Sequence, residues 1–332
     1  MPPRETPETR SVTLVDIPLV KRLADKGIIL ESELIYTRDG SASTALSSFL
    51  LPQRGLHTML AKVDKYSVVG QFRLRSDNPN AQIVYIAPGL DDVEEDSAWL
   101  HMFDAMAREA GKYHAHALIA EVDEDSSLFE TMRTAGFAVY ARQQVWRRLP
   151  GDLPEAADVV ELAEQTGDDW LGIQSLFAST VPRLVQQISM PFENSGSGFV
   201  YRVQDRVEAY VTVAEGRQGV YLVPYIHPDV SRQAGAIFHA VLLSISRTKP
   251  VYLCVRRHQD WLGWALEDLG FEPGTRQAVM VRHITAGVRY PKFALATEYE
   301  LGLLPRKAKQ PTKPLRNIAE KIAEPVMFDR QE

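Results

Sequence analysis

Two stretches of this chain are the same unit written twice, and that repetition limits the possible folds more than any single motif does. Residues 118–148 read LIAEVDEDSSLFETMRTAGFAVYARQQVWRR, and residues 252–282 read YLCVRRHQDWLGWALEDLGFEPGTRQAVMVR. Leu128, Gly136, Phe137, Arg142, Gln143, Val145 and Arg148 return, without a gap and 134 positions later, as Leu262, Gly270, Phe271, Arg276, Gln277, Val279 and Arg282. Each copy reads as strand, helix, Gly-Phe, strand. A period of 134 residues is the size of a domain and far longer than a solenoid repeat. The simplest reading is one α/β unit used twice.

The repeat extends upstream. Tyr85-Ile86-Ala87-Pro88 matches Tyr225-Ile226-His227-Pro228 at a spacing of 140, and the six extra residues fall between strand and helix, at the acidic run 91–96 of the first copy. Trp99, Met102, Phe103, Met106 and Ala110 share one helical face over 97–110, and Ala234, Ile237, Phe238, Val241 and Ile245 do so over 231–247. Paired alternating stretches at 56–62 and 67–75, and again at 198–204 and 206–215, predict hairpins. Shorter elements are expected as strands at 11–15 and 159–162 and as helices at 17–24 and 181–188. Residues 31–51, Ser/Thr/Ala-rich in the middle, give no clear pattern. The expected organisation is an N-terminal unit at 1–149, a linker at 150–154, a C-terminal unit at 155–287 and an extension at 288–332. In that extension four basic residues among three prolines at 305–314 read as a solvated linker or a contact for an acidic partner.

The hairpin, the strand ending in x-Pro, the following helix, the second strand, the short helix closing in Gly-Phe and the last strand resemble a GCN5-related N-acetyltransferase (GNAT) domain. The resemblance covers roughly 11–148 and 158–284. It implies a mixed α/β sheet in two tandem GNAT-like domains and acetyl-CoA, or another acyl-CoA, as co-substrate. The family binds the CoA pyrophosphate at the N-terminus of the helix after the x-Pro strand, where free N–H groups and the positive end of the helix dipole favour phosphate. Its motif there is Gln/Arg-x-x-Gly-x-Gly/Ala. In the second copy the family position gives Ser231, Arg232, Gln233, Ala234, Gly235 and Ala236, and a shift by one places Arg232 and Gly235 on the motif but Ile237 on its last position. The resemblance places cofactor contacts at these six residues, at Ile226 on the strand and at Gln259. The bland alternative is that Ser231 caps the helix and that Ala234 and Gly235 let it pack closely. In the first copy the same place holds five acidic residues in six, which repel phosphate. That copy reads as degenerate for the cofactor, with Asp125 where Gln259 stands in the second.

The family's general-acid tyrosine, four residues before Gly-Phe, is Met132 in one copy and Leu266 in the other. Candidates for the base that accepts the amine proton are His227, Glu208 and Tyr225, with His258 behind them; His227 can equally be a strand-end histidine facing solvent. Cys254 lies in an apolar strand and reads as a buried, inert thiol. His114 and His116 lack a third ligand at convincing spacing, so no metal is expected. Trp261 and Trp264 read as packing.

Composition adds exclusions. A net charge of −6 and a pI near 5.8 argue against nucleic-acid partners. No apolar run approaches the ~20 residues needed to span a bilayer, and one cysteine suits a reducing compartment. The N-terminus lacks the apolar core of a secretory signal, so a cytoplasmic protein is expected. The functional expectation is an N-acyltransferase moving an acetyl group from acetyl-CoA to a small-molecule or peptide amine, with the cofactor in the C-terminal half. The alternative is a catalytically degenerate GNAT-fold binding or regulatory module. Transfer from an aminoacyl-tRNA is disfavoured by the acidic charge. The oligomeric state is open, a monomer with an internal pseudo-dimer among the options.

Overall fold

The computed structural model describes residues 8–38, 55–63, 66–76, 78–90, 97–155, 158–189, 197–246 and 248–284. The acidic run 91–96 and the extension 288–332 lie outside the described residues, as does most of 31–51.

Thr13 and Asp16 form a capping box that starts the first helix, so the strand expected at 11–15 ends early: β1 is Glu8–Ser11, followed by a 3-10 turn and α1, Ile17–Ala24. Next come β2 (Ile28–Ile29), α2 (Ser32–Thr37), β3 (Leu56–Val63), β4 (Tyr66–Leu74), β5 (Ala81–Ala87), α3 (Ser97–Lys112), β6 (Ala117–Asp123), α4 (Ser127–Thr134) and β7 (Ala138–Arg148). The second half supplies β8 (Ala163–Glu164), α5 (Trp170–Thr180), α6 (Arg183–Gln186), β9 (Ser197–Val203), β10 (Arg206–Glu215), β11 (Val220–Ile226), α7 (Ala234–Ser244), β12 (Val251–Arg256), α8 (Gly263–Asp268) and β13 (Glu272–His283). Pro182 shortens the helix expected at 181–188 to the four residues of α6, and the strand expected at 159–162 is displaced to β8.

Gly136 and Gly270 adopt φ of 87° and 77° and close α4 and α8 in the same way. In each, the Phe N–H reaches back to the carbonyl of the residue five before it, Phe137 to Met132 at 3.0 Å and Phe271 to Leu266 at 2.9 Å. Only glycine takes this left-handed position without strain.

One sheet of thirteen strands runs through both halves in the order β1-β3-β4-β5-β6-β13-β7-β12-β11-β10-β9-β8, with β2 alongside β5. The last strands are exchanged: β13 lies between β6 and β7 of the first half, and β7 joins β12 of the second. The exchange has a pseudo-twofold axis. Gln143 faces Gln277, its own repeat partner, and Arg142–Ala278 and Gln144–Arg276 are related pairs on either side. The Gln143 amide donates to the Gln277 side-chain oxygen at 3.2 Å.

The pairing also corrects the repeat. Arg282 faces Leu118, and its counterpart Arg148 faces Val251. The strands β6 and β12 are therefore related by 133 positions, and the second copy carries one extra residue in the turn before α8. The repeat is not gapless. The offset makes Glu121 the counterpart of Cys254.

Leu118, Ala120, Val122, Ala278 and Met280 face α3 and α4, and Val251, Leu253 and Val255 pack in the core beside α7 and α8. The other face is covered crosswise. Ile173, Phe177 and Val185 of α5 and α6 pack on Ala117, Ile119 and Val279, while Tyr36 of α2 stacks on Tyr252 at 4.3 Å.

Candidate active site in the strand gaps

Parallel strands in each half pair briefly and then part. β5 and β6 pair at Ala81–Leu118 and Gln82–Ile119, and β11 and β12 from Val220–Val251 to Leu222–Leu253. Beyond those points each half of the sheet has a gap whose backbone N–H and C=O groups need other partners.

The first gap is closed by the chain's own backbone. Leu30 N–H donates to Val84 O at 2.9 Å, and Leu30 O accepts from Glu121 N–H at 3.1 Å. Ile28 and Ile29 continue the bridge along β5. Ser32 N–H then donates to the Glu121 carboxylate at 2.7 Å. This main-chain plug, residues 28–30, lies just before the stretch that carried no readable sequence pattern.

The second gap is closed by one side chain. Gln259 is 3% exposed at the gap edge of β11, and with its amide turned so that both ends are satisfied it donates to Pro224 O at 2.8 Å and accepts from Ile226 N–H at 2.9 Å. Because N and C=O of a strand residue point to the same side, the missing N–H of Pro224 falls on the gap and costs the β10 ladder nothing. Ile226 and Gln259, expected to contact cofactor, thus meet directly.

The segment after β11 does not start as an α-helix. His227 caps a 3-10 stretch over Pro228–Gln233, its ring accepting from Asp229 N–H at 3.3 Å, and α7 begins only at Ala234 and ends at Ser244, so the helix expected at 231–247 is shorter. Arg232 is exposed, and Ser231, Gln233, Gly235 and Ala236 are half-buried. Ala234 is fully buried in the core, as the packing alternative requires. Gly235 is different: a Cβ there would meet nothing within 4 Å, so close packing does not explain that glycine.

His227 and Glu208 are brought together. His227 N–H donates to Glu208 O at 2.8 Å, and His227 Nδ1 lies 3.6 Å from Glu208 Oε2 and 3.4 Å from Asp229 Oδ2. Arg206 holds the other Glu208 oxygen at 3.0 Å. The His227 side chain is 17% exposed, so it is not a freely solvated strand end. Tyr225 points to the other face and packs against Phe177 and Tyr210. Burial, then the nearby Arg256 charge, push His258 down to about 4.

Met132 and Leu266 are fully buried core residues. Burial pushes the Cys254 thiol up to about 11, as an inert structural cysteine requires. Trp261 packs on the core, whereas Trp264 is 48% exposed. Among the described residues no His/Cys/Asp/Glu group could hold a metal, and no helix is long and apolar enough to cross a membrane.

A cavity of about 170 Å³ lies between the halves, on the face away from α7 and α8. Glu31, Arg73 and Glu121 come to it from the first half, and Tyr225, Cys254 and Arg256 from the second. Glu31 pairs with Arg73 and, at 3.5 Å, with Arg75. Sequence reasoning missed Glu31, Arg73 and Arg256. The gap residue Leu30 leads straight into Glu31, so the plug itself places that carboxyl.

No protein-family model matches the chain, and no curated protein matches it either. Solved structures do. A GCN5-related N-acetyltransferase from Sphaerobacter thermophilus superposes with a TM-score of 0.52 at 13% identity, over 85% of this chain and 97% of that one. A tandem GNAT protein from the clavulanic acid biosynthesis pathway gives 0.49 at 14% identity, over 84% and 99%. A GCN5-related N-acetyltransferase from Kribbella flavida gives 0.44 at 16%, over 67% and 88%. The fold is that of the GNAT acetyltransferases, and the internal pseudo-twofold makes it a tandem of two GNAT-like halves.

Proposed function

We propose that this chain is an acyl-CoA-dependent N-acyltransferase with one working site, in the C-terminal half. The observation that supports it is the contrast between the gaps. Three main-chain residues close the first, whereas one glutamine side chain closes the second and can rotate away. In this reading Pro224 O and Ile226 N–H hold the amide-bearing arm of acetyl-CoA in place of Gln259. The small-residued passage from the 3-10 stretch into α7, Ser231 to Ala236, receives the pyrophosphate, with Arg232 and the open space at Gly235 suited to it. Acetyl-CoA supplies an activated acyl carbon: the amine nitrogen bonds to it as the carbon–sulfur bond breaks and CoA leaves as the thiolate. His227, its ring oriented by the Asp229 N–H on Nδ1 and standing beside Glu208, takes the proton the amine gives up. Leu266 has no proton to give, so the departing sulfur is protonated by water. The units at 1–149 and 155–287 act as two domain-sized copies, the protein works in the cytoplasm, and its acceptor is a soluble amine rather than nucleic acid or lipid.

Calorimetric titration of acetyl-CoA tests this. One site per chain at micromolar strength, about −8 kcal/mol, is expected, with Arg232→Glu weakening it. Silence at millimolar acetyl-CoA would instead support a degenerate binding module, a reading favoured by the two buried apolar residues at the general-acid positions.

A further inference from the structure

The cavity between the halves has an imbalance of hydrogen-bonding groups that specifies what is missing from it. Among its lining side chains, Arg73 Nε, Arg256 Nε and Arg256 Nη1 are buried donors without a partner, and Glu31 Oε2 is a buried acceptor without one. Donors therefore exceed acceptors, and a buried guanidinium left unpaired is costly. On the first-half side the charges largely satisfy one another, since Arg73 and Arg75 engage Glu31 and Ser32 N–H engages Glu121. The unmet demand is concentrated at Arg256, and an anionic acceptor group meets it.

Position narrows the ligand further. Arg256 is the last residue of β12, and Tyr225 stands near the end of β11, so the two cavity residues flank the second gap from either strand. Tyr221, Val223 and Tyr225 alternate with the core residues Leu222 and Ile226, which puts the cavity on the side of the gap opposite α7. A molecule anchored on Arg256 thus has its nearest atoms at the gap and its remainder toward Glu31 and Arg73. At about 170 Å³ the cavity is smaller than the ~300–1,000 Å³ of sites for larger ligands, so the group it takes in is small.

We infer that this cavity is the acceptor pocket and that the acceptor is a small α-amino acid with a polar side chain, its carboxylate held by Arg256 and its amine presented at the gap. The amine must sit close to the carboxylate because Arg256 is itself at the gap's rim, so long ω-amino acids and simple polyamines are excluded. The inference rests on the transferase reading of the same gap.

Calorimetric titration of the full-length protein, without acyl-CoA, tests it directly. The probes are L-serine, L-glutamate, L-histidine and L-arginine, set against their decarboxylated counterparts ethanolamine, 4-aminobutyrate, histamine and agmatine. At least one amino acid is expected to bind below about millimolar, with its decarboxylated counterpart weaker by ~tenfold or more. Arg256→Gln should weaken that binding by at least ~tenfold. The proposal is overturned if no amino acid binds, if an amine binds as well as its parent acid, or if Arg256→Gln changes nothing. The comparison of acid with amine uses the wild-type chain and stands even if the variant does not fold. Amino-acid binding without acetyl-CoA binding removes the transferase reading and leaves the pocket; the reverse removes the pocket and leaves the transferase.

Discussion

Two buried carboxyls in the first half respond to pH in opposite directions. Burial pushes Glu31 up to about 7 from an ordinary 4.5, and Arg73 and Arg75 only moderate the shift. Between those values the folded protein holds a proton that the unfolded chain has released. Stability therefore falls as pH rises through that window, by an amount on the order of 3 kcal/mol. Asp16 is the reverse case. Hydrogen bonds from Arg10 and from the hydroxyl and N–H of Thr13 hold its carboxyl well below the usual carboxylate range. Its contribution is present above the ordinary value and is lost as pH falls toward the folded one. Urea midpoints measured across pH should fall between about pH 4.5 and pH 7 for the wild type and flatten in Glu31→Gln. Parallel curves for the two proteins would show that Glu31 is not the buried titrating group.

The helix starts hold a second repeat. Asp169 accepts from Thr166 N–H at 2.8 Å and from its hydroxyl at 2.9 Å and pairs with Arg202, as Asp16 does with Thr13 and Arg10. Thr13→Ala and Thr166→Ala should each cost about 1 kcal/mol and add in the double variant, because the boxes share no partner. A coupled double variant in denaturant titration would contradict that independence. The plug between β5 and β6 behaves differently. Leu30 is buried in the core, so Leu30→Ala should cost ~2–5 kcal/mol and leave the acetyl-CoA titration unchanged. A lost acetyl-CoA site in this variant would place the cofactor in the wrong half. The helix ends at Gly136 and Gly270 were legible because a left-handed glycine after an apolar face is a local signal, and so were the x-Pro strand ends. Residues 28–30 were not, since a plug of three apolar residues has no periodicity and its partners on β5 and β6 lie more than fifty positions away. The Thr-x-x-Asp boxes are present in the sequence, but the helices that follow them share only Leu23 with Leu176, too little to mark the two starts as a repeat. His227 and Glu208 could be named as candidate bases and Ile226 and Gln259 through the family resemblance, but their meeting at one gap depends on pairing that no spacing encodes. Arg73 and Arg256 were invisible as a pair because only the sheet brings them to one cavity.

Exchange of the last strands decides how the two copies depend on each other. β13 is the neighbour of both β6 and β7, so removing the second half strips two strands of the first of a shared partner and bares their backbone edges. The crosswise helices add to this: α5 and α6 cover Ala117, Ile119 and Val279, and α2 covers Tyr221 and Tyr252. Neither half keeps a complete core when alone, although each is large enough to be a domain. The pseudo-twofold at Gln143 and Gln277 offers an isolated half one remedy, which is to receive a second copy's β7 in the place of β13. Residues 1–149 expressed alone should therefore be either unfolded or a dimer, and mixing with the complementary 150–332 fragment should restore the native circular dichroism. The intact chain should melt in one transition, its calorimetric and van't Hoff enthalpies agreeing. A folded monomer of 1–149 by analytical ultracentrifugation, or two resolved transitions in the intact chain, would mean that the exchanged strands are dispensable and that each copy carries its own fold.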